Sequence, residues 1–154
     1  MIRPLIAGNW KMHKTIPEAV KLATRIRESA AACPDRDVAV APPFTALRPA
    51  AEVLKGSNVR LCAQNVHPAP QGAFTGEISA PMLADAGCQY VIVGHSERRT
   101  LFGETDELVR AKIQASLQSS LMPIFCVGES LAEREDGRTF DVLERQLKGG
   151  LNNF

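Results

Sequence analysis

The sequence lacks an excess of charge of either sign. Its 18 basic and 17 acidic residues leave a net charge of +1 over 154 residues. No large field of one sign exists to draw a nucleic acid or a membrane surface, so neither partner is expected. The four cysteines, Cys33, Cys62, Cys88 and Cys126, contain no C-x-x-C pair, which removes the usual signals for structural zinc and for a redox motif. Neither His13 nor His67 shares a ligand spacing with a cysteine or carboxylate, and no metal site is expected. No apolar run approaches the length of a membrane span. Met1-Ile2-Arg3-Pro4 carries no apolar h-region, so no signal peptide is expected. Free thiols fit a reducing cytosol, and a cytoplasmic location is expected. No G-x-G-x-x-G or Walker-type loop follows the first apolar run, and Gly94-His95-Ser96 is not the G-x-S-x-G of a serine hydrolase. Low-complexity segments and linkers are also absent.

What is present is a recurring pattern. Apolar residues make up 45% of the chain, enough for an ordinary core. Short apolar runs recur at Leu5-Ile6-Ala7-Gly8, Val38-Ala39-Val40-Ala41, Val59-Arg60-Leu61-Cys62-Ala63, Tyr90-Val91-Ile92-Val93 and Pro123-Ile124-Phe125-Cys126-Val127. Most are nearly continuous rather than alternating, as expected of parallel strands buried on both faces. Helical signals separate them. Thr15-Ile16-Pro17-Glu18 and Ser130-Leu131-Ala132-Glu133 have the capping-box arrangement, in which a hydroxyl and a carboxylate satisfy free N–H groups. Ala19, Leu22, Ala23 and Ile26 mark one apolar helical face. Thr105 can cap a helix with apolar positions at Val109, Ile113 and Leu117. Gly137 interrupts the region after Glu133, and Val142, Leu143, Gln146 and Leu147 continue it. Strand alternating with helix means an α/β fold with a parallel sheet. A doubly wound sheet could be complete with five strands, whereas a barrel needs eight; periodicity does not separate them.

Polar residues stand just after the strands: Asn9-Trp10-Lys11, Gln64-Asn65, Gly94-His95 and Gly128-Glu129. In parallel α/β folds the carboxyl ends of strands carry the chemistry. An ammonium and an amide two residues apart, Lys11 and Asn9, can share a pocket and steady negative charge; a solvated surface lysine is the plain alternative. Ser96 reads as an N-cap, which places His95 at a helix N-terminus. The positive end of that helix disfavours an imidazolium, and a neutral imidazole can donate to a carbonyl oxygen. A histidine merely bonded to backbone is the competing reading. Glu97 either decorates a helix start or orients His95 or Lys11. Arg98 and Arg99 are expected in structural ion pairs. In Gly72-Ala73-Phe74-Thr75-Gly76-Glu77, an exposed Phe74 needs an apolar home, which a second subunit could supply.

Taken in order, Ala7-Gly8-Asn9-Trp10-Lys11-Met12, Ala63-Gln64-Asn65-Val66, Gly72-Ala73-Phe74-Thr75-Gly76-Glu77, Gly94-His95-Ser96-Glu97-Arg98-Arg99 and Cys126-Val127-Gly128-Glu129 resemble the triosephosphate isomerase family nearly end to end. The resemblance implies an α/β fold, the TIM (β/α)₈ barrel, with about the first five βα units in this chain. Residues 1–154 are then the N-terminal part of a single barrel domain, incomplete at its C-terminal end. It also implies a homodimer, no cofactor, and the interconversion of dihydroxyacetone phosphate and D-glyceraldehyde 3-phosphate in glycolysis and gluconeogenesis. By motif, Asn9 and Lys11 bind the triose phosphate, Lys11 stabilises the enediolate, His95 polarises the carbonyl, and Glu97 supports catalysis. Phe74 and Thr75 reach into the partner subunit. The family's glutamate base lies in a later segment of the type Y-E-P-V-W-A-I-G-T-G, which these residues do not contain. An inactive fragment that self-associates, or that binds a phosphate ester weakly, is therefore the alternative expectation.

Overall fold

A computed structural model describes residues 3–152 and 154; the expectation about Met1 and Ile2 lies outside the described residues. Five parallel strands, β1 (Leu5–Asn9), β2 (Asp37–Ala41), β3 (Val59–Ala63), β4 (Tyr90–Val93) and β5 (Met122–Phe125), lie in sequence order. Every neighbouring pair is parallel, with Ala7 opposite Ala39, Val40 opposite Leu61, Ala63 opposite Val91 and Ile92 opposite Ile124. Helices alternate with the strands: α1 (Ile16–Ala30), α2 (Leu47–Leu54), α3 (Ala80–Asp85), α4 (Ser96–Phe102), α5 (Asp106–Gln118), α6 (Leu131–Glu135) and α7 (Thr139–Leu151). A strand order that never reverses has no topological switch point. The sheet is a half-barrel, not a doubly wound sheet.

Strand alternation divides the core in two. Val38, Val40, Leu61, Ala63, Val91 and Val93 face the helices, where they meet Ala23, Leu47, Ala50, Leu83, Val109 and Ile113. Ala39, Ala41, Cys62 and Ile92 form a smaller cluster on the concave face, against Tyr90, Ile124 and Cys126. Both capping boxes form: Glu18 accepts from Thr15 N at 2.8 Å, and Glu133 from Ser130 N at 2.8 Å. Thr105 Oγ1 accepts from Leu108 N at the start of α5. Gly137, at φ +71°, separates α6 from α7.

Several expectations are corrected here. Leu5 and Ile6 are exposed although their run reads as buried, because β1 is an edge of the sheet. β5 ends at Phe125, so Cys126 and Val127 lie beyond it. Leu117 is exposed; the buried positions of α5 are Val109, Lys112, Ile113 and Ser116. Val109 and Ile113 are buried as expected, and the stripe is completed by Lys112 and Ser116 in place of Leu117.

Candidate functional site

The carboxyl ends of β1, β3 and β4 open onto a cleft of about 640 Å³ lined by Asn9, Lys11, Gln64, His95 and Glu97, with an apolar wall that includes Met12, Phe44, Leu101 and Phe102. Parallel strands aim all their carboxyl ends the same way, so residues distant in sequence meet there. The β1 exit is held tightly. Trp10 N–H donates to Ala41 O at 3.0 Å. Lys11 N–H donates to Asn9 Oδ1 at 2.9 Å. Lys11 sits at φ +53°, a left-handed conformation that residues other than glycine seldom adopt.

The lysine side chain crosses the cleft mouth to α4. Its Nζ donates to Glu97 Oε1 at 2.6 Å. That hydrogen bond is the main reason the Glu97 carboxyl is held below the usual carboxylate range; burial opposes it, and the charge of Lys11 adds to it.

His95 closes the other side. The N-cap of α4 is His95 itself, not Ser96, which is the first helical residue. Its Nδ1 accepts the Glu97 N–H at 3.2 Å, and its carbonyl accepts from the N–H groups of Arg98 and Arg99 at 2.8 and 3.1 Å. Glu97 Oε2 lies 3.6 Å from the same Nδ1. With Nδ1 accepting, a neutral imidazole carries its proton on Nε2. Gly94, at φ +68°, makes the turn from β4 into this cap. An alanine Cβ there would stand 3.0 Å from Arg99 Nη2 and 3.1 Å from Val109 Cγ1. The cleft therefore gathers the Lys11 ammonium, the Asn9 amide and the His95 imidazole, the last oriented by its own helix. Such a set can polarise a carbonyl and stabilise an oxyanion.

The remaining expected residues fall as follows. Arg98 pairs with Glu104, and Arg99 donates to Asp106 Oδ1 at 2.6 Å and to Gly94 O at 2.9 Å. Glu129 is engaged by Arg134 at 2.7 Å and Thr139 at 3.3 Å and does not line the cleft. Phe74 is half exposed, and its ring lies 4.1 Å from that of His67, so part of its apolar home is within its own chain. Thr75 is exposed on the same loop. Among the described residues no cluster of three or more His, Cys, Asp or Glu could hold a metal ion, and no helix is long and apolar enough to cross a membrane. Sequence reasoning marked Gln64 only as a polar residue just after a strand and gave no role to Lys112 or Glu104. The available signal was a lysine on the apolar stripe of α5.

The family model described as triosephosphate isomerase matches residues 4–154. The chain belongs to the triosephosphate isomerase family. A triosephosphate isomerase from Syntrophotalea carbinolica is 52% identical over all of this chain and 61% of its own length. One from Carboxydothermus hydrogenoformans is 55% identical over 98% of this chain and 60% of its own. The crystal structure of triosephosphate isomerase from Bartonella henselae superposes with a TM-score of 0.94 at 44% identity, covering 99% of this chain and 63% of that one. The chain thus spans about three-fifths of the length of the triosephosphate isomerases it matches.

Proposed function

We propose that these residues are the carbonyl-polarising half of a triose-phosphate isomerase site, which interconverts dihydroxyacetone phosphate and D-glyceraldehyde 3-phosphate through an enediolate in glycolysis and gluconeogenesis. The convergence of Lys11, His95 and Glu97 on one cleft supports this reading most strongly. Asn9 and Lys11 bind substrate. The Lys11 ammonium offsets charge that develops on the substrate oxygen, and His95 donates from Nε2 to the carbonyl. Glu97 accepts from the Lys11 ammonium across the cleft. Residues 1–154 are read as the N-terminal part of one barrel domain of a cytoplasmic enzyme. Phe74 and Thr75 are read as contacts to a second subunit.

Enolisation also needs a base to take the proton from carbon. The carboxylates lining the cleft are Glu77 and Glu97. Glu97 is committed to Lys11 and held weakly basic. The base is therefore assigned to the later glutamate segment that the family carries. These residues alone are expected to give negligible turnover, with at most weak phosphate-ester binding and self-association through the exposed β1 edge.

The test is isomerase turnover of the chain alone and of the chain mixed with a polypeptide carrying a relative's later strands. Turnover should appear only in the mixture, and Lys11→Met or His95→Gln should each lower it by about 10²-fold or more. A mixture whose turnover ignores both substitutions would sink the reading.

A further inference from the structure

Gln64 follows β3 and reaches sideways to the β1 exit. Its side-chain nitrogen donates to Lys11 O at 2.9 Å and to Ala41 O at 2.8 Å. Both partners are carbonyl oxygens, which can only accept, so the amide has one workable orientation. One residue thus ties the loop after β1 to the end of β2 from a foothold on β3.

The strain at Lys11 makes this tie consequential. At φ +53° a lysine has no intrinsic reason to stay put. Its ion pair with Glu97 cannot supply that reason, because the two side chains remain 51% and 45% exposed, and exposed pairs hold weakly. What fixes the residue is its own peptide groups: the N–H on Asn9 Oδ1, the C=O on Gln64. An unpaired carbonyl there would be free to turn, taking the ammonium with it.

We propose that Gln64 is a positioning residue: by donating to the carbonyls of Lys11 and Ala41 it holds Lys11 in its left-handed backbone, with the ammonium directed across the cleft at Glu97. The relevance to turnover rests on the role given to Lys11 above; the geometric claim does not. Glutamine suits the post because it has two amide hydrogens at the right reach. A leucine of similar size has none, and a carboxylate would set a negative oxygen against two carbonyl oxygens.

The experiment uses the full chain with ¹³C-labelled glutamate carboxyls. Lys11→Met first sets the full upward move of the Glu97 titration on losing its ammonium partner. Gln64→Leu should reproduce at least half of that move. Glu18 and Glu133, whose carboxyls sit in the capping boxes of α1 and α6, should keep their titrations and so report an intact fold. In Gln64→Leu combined with Lys11→Met, Glu97 should titrate as with Lys11→Met alone. In the complemented assay, Gln64→Leu should lower turnover by up to about 10²-fold, as displacement of a reacting group by an ångström does. An unmoved Glu97 in Gln64→Leu overturns the proposal. So does a shift that Glu18 and Glu133 share, since that marks general loosening. Absence of turnover in the complemented parent chain would count against the functional reading only, and the titration would still decide the place of Gln64.

Discussion

Glu104→Ala should be among the most destabilising single substitutions in this chain. Glu104 is 6% exposed and Lys112 4%. One carboxylate oxygen of Glu104 accepts from both Lys112 Nζ and Arg98 Nε, and Lys112 donates again to Asn65 Oδ1 at 2.7 Å. The cluster joins α4, α5 and the loop after β3. Burial would raise the Glu104 carboxyl, but the hydrogen bonds from Lys112 and Arg98 outweigh it and hold the group below the usual carboxylate range. Burial also pulls the Lys112 ammonium below the usual lysine range, against the attraction of Glu104. The pair carries a desolvation cost that its hydrogen bonds and mutual attraction offset. Removing the carboxylate leaves that cost in place and takes away its compensation.

Breaking a buried pair from one side costs about 3–5 kcal/mol. With a urea slope of about 2 kcal/mol/M for a chain of this size, the unfolding midpoint should fall by about 2 M. Glu104→Leu with Lys112→Met removes both charges and should cost less than Glu104→Ala alone. The pH dependence has a definite sign. A carboxyl lowered in the folded state contributes stability fully present above its unfolded value, about 4.3, and lost as pH falls through the folded value. The gap between parent and Glu104→Ala should therefore narrow on acidification below that range. Urea titrations at several pH values measure all of this. A neutral-pH loss below about 1 kcal/mol, or a double variant worse than the single one, would refute the reasoning.

Legibility in the sequence follows what each signal depends on. Val59–Ala63 and Tyr90–Val93 form as strands with the limits their apolar runs suggest, because turn-forming residues bound both and neighbours cover both faces. Leu5 and Ile6 carry the same signal and are exposed, because a run reports what a strand seeks to bury and not what lies beside it. The two capping boxes need only four consecutive residues and were legible. The α4 cap was not: a preference for serine pointed to Ser96, whereas the imidazole of His95 accepts the N–H of Glu97. Lys11 and Glu97 were each legible as candidates, but their contact spans 86 positions and follows from strand order rather than from any local pattern. Gln64 was legible only as a polar residue at a strand end, because the carbonyls it binds lie after β1 and at the end of β2. Glu104 was silent although Arg98 and Lys112 stand only 6 and 8 positions away, because their pairing depends on how α4 and α5 pack and not on a local pattern.

Three further outcomes test the half-barrel. Thr105→Ala removes the acceptor at the start of α5 and should cost about 1 kcal/mol in urea unfolding. Gly94→Ala forces a left-handed alanine against Arg99 and Val109 and should cost about 1–3 kcal/mol, read as a lowered thermal midpoint. The thiols give the most direct reading of whether the open sheet is closed to solvent. Burial pushes Cys62 and Cys88 up to about 12, with Cys88 adding a little repulsion at Cys62. An ordinary thiol at about 8.5 is roughly a quarter thiolate at pH 8, whereas one at about 12 is about 10⁻⁴ thiolate. Alkylation of the native chain at these two positions should therefore run about 10³-fold slower than in the urea-unfolded chain, before any steric protection is added. Cys62 belongs to the small concave cluster with Ala39, Ala41 and Ile92, the part of the core that only other strands can cover. Cys88 belongs to the larger cluster beneath the helices. Mass spectrometry after timed alkylation separates the two. Slow labelling of Cys88 with Cys62 labelled within tenfold of the unfolded rate would show that the helix-covered layer holds while the concave layer opens, and the buried state assigned to Cys62 would be wrong.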